Sequence, residues 1–167
     1  MAKNDTITAE YLRSILDYEP ETGLFRWKTV RNGRAKVGQI AGSVNPGHGY
    51  VIIEIDGKPR RAHRLAVLWM TGEWPERDVD HENLTRHDNR WSNLRPATEQ
   101  ENGANRRALK NNACGVKGVY RVGRRWRASI RVDYKLINLG TFSKKEEAGE
   151  AYAAAAMLYF REFARVS

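Results

Sequence analysis

Cysteine is almost missing from this chain of 167 residues, in which Cys114 stands alone. That excludes an intrachain disulfide framework and any zinc site caged by cysteines. Long apolar runs are missing as well. No stretch reaches the roughly eighteen apolar residues of a membrane span, so no transmembrane helix is expected. The N-terminus, MAKNDTITAE, lacks the apolar core of a secretory signal, and a cytoplasmic setting is the expectation. Internal repeats and low-complexity tracts are also absent. Hydrophobic residues make up 41% and aromatics 10%, enough to build a packed core and too many for a disordered chain. The length allows one domain or two small ones.

Acidic residues are scarce in one region only. Residues 1–104 hold 15 Lys+Arg and 15 Asp+Glu, whereas residues 105–167 hold 14 and 5, so the whole formal charge of +9 sits in the last third. Between 106 and 135 there are ten basic residues and one acid, Asp133. A polyanion is the natural partner of such a block. A merely solvated basic face ranks second, because aromatic and β-branched residues are interleaved with the charges.

Residues 8–17 read as a short amphipathic helix, with Thr8 as N-cap and Tyr11, Leu12, Ile15 and Leu16 on one face. Pro20 and Gly23 end it, Leu24–Trp27 reads as a strand, and the Gly-rich stretch 31–49 as loop. Tyr50–Ile55 is a strand stopped by Asp56-Gly57, a hairpin signal. Residues 64–70 form a buried helix broken by Gly72 and Pro75, residues 78–102 a polar functional loop region, and residues 103–115 a linker. Beyond it, Val116–Val122, Trp126–Val132 and Leu136–Leu139 read as three strands joined at Gly123-Arg124 and Asp133-Tyr134. A capping box, Ser143 to Glu146, opens a helix whose stripe is Ala148, Ala151, Tyr152, Ala155 and Tyr159. The expected fold class is α+β, with residues 116–163 forming a three-stranded antiparallel sheet packed on one helix and open on its other face.

The chemistry-bearing residues cluster between 79 and 102. Asp80 and His81 are adjacent, Asn93 lies twelve residues after His81, and Asn102 nine after that, on a helix starting near Thr98. Neighbours on a strand point to opposite faces, but at a strand end the twist can bring both to one cleft. Phosphodiester hydrolysis needs a base for water, a hard cation for the developing charge, and a partner that fixes the base's tautomer. His81 suits the base, since an imidazole titrates near neutrality. The Asn93 amide can orient it, and Asp80 with Asn102 offers the oxygens that Mg²⁺ prefers. From spacing alone, a polar loop of turn residues with a structural histidine is the better reading. His63 reads as a packing residue near the site, with phosphate contact as the alternative; His48 and His87 read as surface residues.

The ordered set Val79-Asp80-His81, Asp88-Asn89-Arg90, Asn93-Leu94-Arg95, Thr98 and Glu101-Asn102 resembles the HNH nucleases. It is closest to the variant of phage and homing endonucleases in which Asn replaces the final His. Ala62-His63-Arg64-Leu65-Ala66 and Tyr18-x-Pro-x-Thr22-Gly23-x-Phe25-x-Trp27 resemble flanks common in that group. The resemblance covers roughly residues 10–107 and implies a ββα-metal site, two strands and a helix around one divalent cation, Mg²⁺ or Mn²⁺. It implies His81 as general base, Asn93 as its orienting partner, and Asp80 and Asn102 as metal ligands. Glu82-Asn83-Leu84 departs from the apolar-Asn-Gly of many relatives.

Residues 115–165 resemble the plant ethylene-response-factor DNA-binding domain, in Gly118-Val119-Tyr120, Arg125-Trp126-Arg127-Ala128, Leu139-Gly140-x-Phe142, Glu146-Glu147-Ala148 and Ala151-Tyr152. That family lays its sheet in the major groove. Alternation puts Trp126, Ala128, Ile130 and Val132 toward the helix, and Arg127, Ser129 and Arg131 toward DNA together with Tyr120; Arg124, Arg125 and Lys135 suit phosphates. The expectation is a nuclease domain over 1–107 and a double-stranded-DNA-binding domain over 108–167, as a monomer or homodimer with no other protein partner evident, in the cytoplasm of a bacterial host if phage-encoded. The alternative is a non-catalytic DNA-binding regulator with a degenerate site; the presence of all four site residues favours the enzyme. An RNA-binding sheet would expose paired Phe or Tyr, where this one presents Arg.

Overall fold

The computed structural model describes residues 7–30, 35–105, 112 and 114–164. The chain divides into two compact units, Met1–Pro96 and Ala97–Ser167. The expected boundary near 107 keeps the helix that carries Asn102 with the first unit; the contacts group it with the second. The α+β mixture is as expected, but four sheets are present among the described residues. No helix among those residues is long and apolar enough to cross a membrane.

The first unit begins with α1 (Ala9–Ile15), capped by the Thr8 hydroxyl, which accepts from the Tyr11 N–H. The predicted run to 17 is cut short at Ile15. Leu16 is already extended, and β1 (Leu16–Glu19) pairs with β2 (Leu24–Trp27) in the register Leu16↔Trp27 to Glu19↔Leu24. The apolar residues Leu16 and Tyr18 then point inward and Asp17 and Glu19 outward, a burial that a continued helix could not give. A second sheet is ordered β3 (Ser43–Val44), β4 (Val51–Ile55) and β5 (Lys58–Arg61). Asp56 and Gly57, both at positive φ, make the β4–β5 turn. Arg61 leads directly into α2 (Ala62–Thr71), which ends at left-handed Gly72. Leu12, Leu16, Phe25, Ile53, Ile55, Leu65 and Leu68 fill the core. Each contributes on the order of 1.5–3 kcal/mol through burial, which fixes the backbone on which β6 (Asp78–His81) and β7 (Leu94–Ala97) pair.

The second unit opens with α3 (Glu99–Asn105). It is started by a true capping box: Glu101 accepts from the Thr98 N–H at 2.7 Å and the Thr98 hydroxyl accepts from the Glu101 N–H at 3.2 Å. β8 (Val119–Val122), β9 (Arg125–Val132) and β10 (Lys135–Phe142) form an antiparallel sheet with β9 in the centre, and α4 (Lys145–Phe160) packs on it. The α4 box falls one residue later than predicted. Glu147 faces the Lys144 N–H at 3.5 Å, and because an ammonium has no acceptor only this half of the box exists. The buried stripe of α4 is Ala148, Tyr152, Ala155, Ala156 and Phe160; Tyr159, predicted inside, is exposed, since Phe160 takes the inward position one residue on. Tyr152 lies flat on Gly118, where a Cβ would stand 2.2 Å from the ring.

Candidate active site and nucleic-acid interface

The end of β6 buries Asp80 and His81 together. His81 is the more enclosed, and its Nε2 lies 3.3 Å from the Asn89 Oδ1. An amide oxygen can only accept, so the contact places the imidazole proton on Nε2 and makes Nδ1 the basic nitrogen. Burial pushes the His81 pKa down, opposed by Asn89 and by the negative charges of Asp80 and Asp88. At neutral pH the imidazole is therefore uncharged, the state a general base requires.

The side chain that meets the His81 Nε2 is Asn89, where the sequence points to Asn93. Asn93 holds the loop instead. It ends a 3₁₀ turn, Trp91–Asn93. Its Oδ1 accepts from the Asn83 N–H at 3.0 Å, its Nδ2 donates to the Asp88 carbonyl at 2.7 Å, and its carbonyl accepts from the Glu82 N–H at 3.0 Å. Both ends of the 82–88 loop are stapled by this one residue. Within the loop Asp88 receives a two-pronged contact from Arg90, at 2.8 and 2.6 Å, and an amide bond from Asn83. These donors hold the Asp88 carboxyl down at about 2, the Arg90 hydrogen bond being the largest cause. Leu84 has φ 63°, so it takes the left-handed conformation that favours Gly, in the Glu82-Asn83-Leu84 stretch that departs from the expected pattern. The loop keeps its turn at the cost of local strain.

The β1–β2 hairpin buttresses this loop from far away in sequence. The Tyr18 hydroxyl donates to the Asn89 carbonyl at 2.7 Å, and the Trp91 N–H donates to the Pro20 carbonyl at 2.9 Å. Gly23, at φ 73°, lies against the Asn89–Arg90 peptide so closely that a Cβ would fall 2.3 Å from its carbonyl carbon. The Tyr-Pro-Thr-Gly flank therefore has a direct structural role, because it presses on the residue that orients His81. Burial, aided by the charge of Asp88, raises the Tyr18 pKa and keeps its hydroxyl a donor.

Asp80 is paired across β6 and β7 with Arg95, whose Nη2 and Nε lie 3.2 and 3.3 Å from Oδ2. The pair is mostly shielded from water, so it must be matched to be tolerated. Three ring systems meet beside it. The His63 ring stands edge-on to His81 at 5.0 Å, and Tyr50 lies 4.9 Å from His63 and 5.8 Å from His81. His63 is buried, as its packing role predicts; its Nδ1 has no hydrogen-bond partner among the described residues, and burial pushes its pKa down to about 2. His87 is exposed, as predicted, but His48 is half-buried against Tyr50 at 5.4 Å.

Asn102 sits within α3, in the second unit, whereas Asp80, His81, Asn89 and Asn93 belong to the first. Among the described residues no three His, Cys, Asp or Glu side chains converge on one point. The two residues expected to hold an ion, Asp80 and Asn102, carry one carboxylate and one amide oxygen. Hard oxygen donors of this kind suit Mg²⁺ or Mn²⁺ retaining several waters, and they do not suit a closed zinc site.

On the second unit's sheet, Tyr120 pairs with Arg127, Val122 with Arg125, Ser129 with Asn138, and Arg131 with Leu136. Ala128 and Ile130 are buried and Trp126 and Val132 half-buried against the helix, while Tyr120, Arg124, Arg125, Arg131 and Lys135 are exposed. Arg125 donates to the Thr141 carbonyl at 3.0 Å. Two residues expected to reach DNA are less available: Ser129 is buried in the central strand, and Arg127 is half-buried, its Nε without a partner among the described residues. Short side chains in a central strand are roofed over by the longer ones beside them.

Residues 60–104 match the family model described as HNH endonuclease. An ethylene-responsive transcription factor-like protein of Arabidopsis thaliana is 37% identical over 67 residues, which is 40% of this chain and 30% of that relative. The match thus spans under a third of the relative's length. The asparagine that orients His81, the arginine that neutralises Asp80 and the hairpin that supports the loop are not singled out for these roles by the sequence alone. Tyr18 and Gly23, within the Tyr-x-Pro-x-Thr-Gly motif, are the signal that points to the hairpin.

Proposed function

We propose that the chain is a metal-dependent DNA endonuclease of the HNH, homing or phage-like type, with the cutting function in residues 1–107 and a duplex-binding function in residues 108–167. The observation that carries the reading is His81: an uncharged, buried imidazole held by Asn89 beside Asp80, within a segment matching the HNH endonuclease model. The chain order β6, β7, α3 is that of a ββα-metal motif, with Asp80 and Asn102 as the residues to hold one Mg²⁺ or Mn²⁺. Such an ion, when bound, stabilises negative charge on the phosphate and the leaving oxygen. His81 Nδ1 takes the proton from the attacking water, Asn89 stabilises the imidazolium that forms, and Arg95 holds the Asp80 carboxylate in place. Asn93 and the β1–β2 hairpin keep the loop from relaxing between turnovers.

The exposed Arg124, Arg125, Arg131 and Lys135, with Tyr120, support duplex binding by the sheet, phosphates first and base edges through Arg131 and Arg127. A second reading has one observation in its favour: Arg95 already occupies an oxygen of Asp80, as in a site reduced to a structural ion pair. The chain would then be a non-catalytic DNA-binding regulator. Supercoiled plasmid incubated with the full chain and Mg²⁺, with and without EDTA, decides between them. Conversion to nicked or linear DNA, lost with EDTA and in His81→Ala, supports the nuclease; tight binding without any cleavage supports the regulator.

A further inference from the structure

Four arginines of the first unit surround the candidate site, and they differ in what they touch. Arg95 is committed to Asp80 and Arg90 to Asp88. Arg61, at the end of β5, and Arg86, in the loop after β6, have no carboxylate partner among the described residues. Both guanidiniums lie against the ring of Tyr50, at 4.9 and 5.1 Å from its centroid. Tyr50 is in turn the ring that packs on His63 and faces His81 at 5.8 Å. Arg86 is further fixed by donating to the His48 carbonyl at 3.0 Å. The Arg61 side chain makes no cap bond to α2, so helix initiation does not account for it.

Two cations gathered on one ring repel each other. A tyrosine face attracts each only weakly at a partly exposed site. The nearby carboxylates, Asp80 and Asp88, are already neutralised by other arginines. What the arrangement lacks is an anion, and planar guanidiniums fit phosphate oxygens through paired N–H donors.

We propose that Arg61 and Arg86, mounted on Tyr50, bind a backbone phosphate of the DNA strand being cut and seat that strand against His81. The inference rests on the nuclease reading for its strand and extends it: the first unit, though it carries little of the net charge, holds substrate by itself at this point. Ionic contact with phosphate is sequence-independent, so the clamp supplies position while the sheet supplies recognition.

The test uses the full chain with Arg61→Gln, Arg86→Gln, the double variant, and Lys58→Gln as a charge control on the β4–β5 turn, each with a thermal midpoint to show folding. Duplex affinity is measured against salt in a His81→Ala background, and KM and kcat in the cleaving background. Each arginine substitution is expected to flatten the salt slope by about one unit, the double by about two, with Lys58→Gln unchanged. KM should rise about tenfold per arginine, with kcat reduced less, the mark of lost ground-state binding. Salt slopes and KM values matching those of Lys58→Gln would overturn the clamp. Absence of cleavage by the unsubstituted chain would overturn the nuclease reading alone, because the salt slopes still decide whether the two arginines hold phosphate.

Discussion

The two units handle polar residues in opposite ways. In the first, the polar groups that matter are buried or half-buried and tied between elements, Tyr18 to Asn89 and Arg95 to Asp80, or across the loop, Asn93 to Asn83 and Asp88. Its charge nearly balances, with 15 cations and 13 anions over residues 1–96. In the second, the sheet strands are consecutive in sequence, the core is mostly alanine and aromatic, and Arg121, Arg124, Arg125, Arg131 and Lys135 stand exposed on the sheet strands or at their turns. Chemistry demands a fixed geometry away from bulk water, and such geometry needs long-range ties. Affinity for a polyanion demands only accessible charge, which a small local fold can display. Under the proposed function, the contrast teaches that the basic block would mark where DNA is held and says little about where it would be cut.

The strongest way to break this comparison is to remove chemistry without touching affinity. His81→Ala is expected to lower the cleavage rate by about 10²–10⁴-fold, the range for a general base, while duplex affinity in a binding assay stays within about twofold. Asn89→Ala should lose part of the same rate by freeing the imidazole. Wild-type cleavage by His81→Ala would place the base elsewhere.

Next in size is the buttress. Gly23→Ala forces a Cβ into the Asn89–Arg90 peptide and demands a left-handed alanine, so the loop must move. A loss of about 1–3 kcal/mol in chemical denaturation is expected, together with a fall in kcat that exceeds any change in affinity. A variant that stayed as stable and as active as the parent would show that the hairpin does not set the loop.

The sheet side sharpens the comparison. Arg131→Ala or Arg127→Ala should cost about 1–3 kcal/mol if it reads a base edge, and the loss should depend on sequence. Arg124→Ala or Lys135→Ala should weaken all duplexes alike and flatten the salt slope by about one unit. Half-buried Arg127 should also lower stability, which exposed Arg131 should not.

The smallest effect at neutral pH concerns His63. Its folded pKa is depressed to about 2, so the unfolded chain binds this proton first. Its contribution to stability is therefore complete above the ordinary histidine range and declines as pH falls below about 6.5. His81 shifts in the same direction and adds to the decline. A His63→Gln variant should show a flatter loss of stability between about pH 6.5 and 4.5 in denaturant titrations. An unchanged pH profile would show that His63 is not enclosed in the native state.

Much of this was legible in the sequence because it is set by neighbours. Thr8 caps its helix through its own third neighbour. Asp56-Gly57 turns the chain by local dihedral preference. Alternation in residues 126–132 picks out Ala128 and Ile130 as core and Arg131 as exposed, though not Ser129, and the charge division needs only counting. His81 and Asp80 were legible as chemistry because few residue types can supply it. What only the tertiary structure decided are the choices between equivalent residues. Asn89 and Asn93 are both plausible partners for an imidazole; the β1–β2 hairpin, pressing through Gly23 and Tyr18, puts Asn89 there and leaves Asn93 to staple the loop. Ile15 ends α1 although the helical pattern continues, because Leu16–Glu19 finds a strand partner. Ser129 is covered although alternation exposes it, because its neighbours are longer. Periodicity fixes which side a residue faces; which neighbour it meets there depends on segments tens of residues away, and no local pattern carries that information.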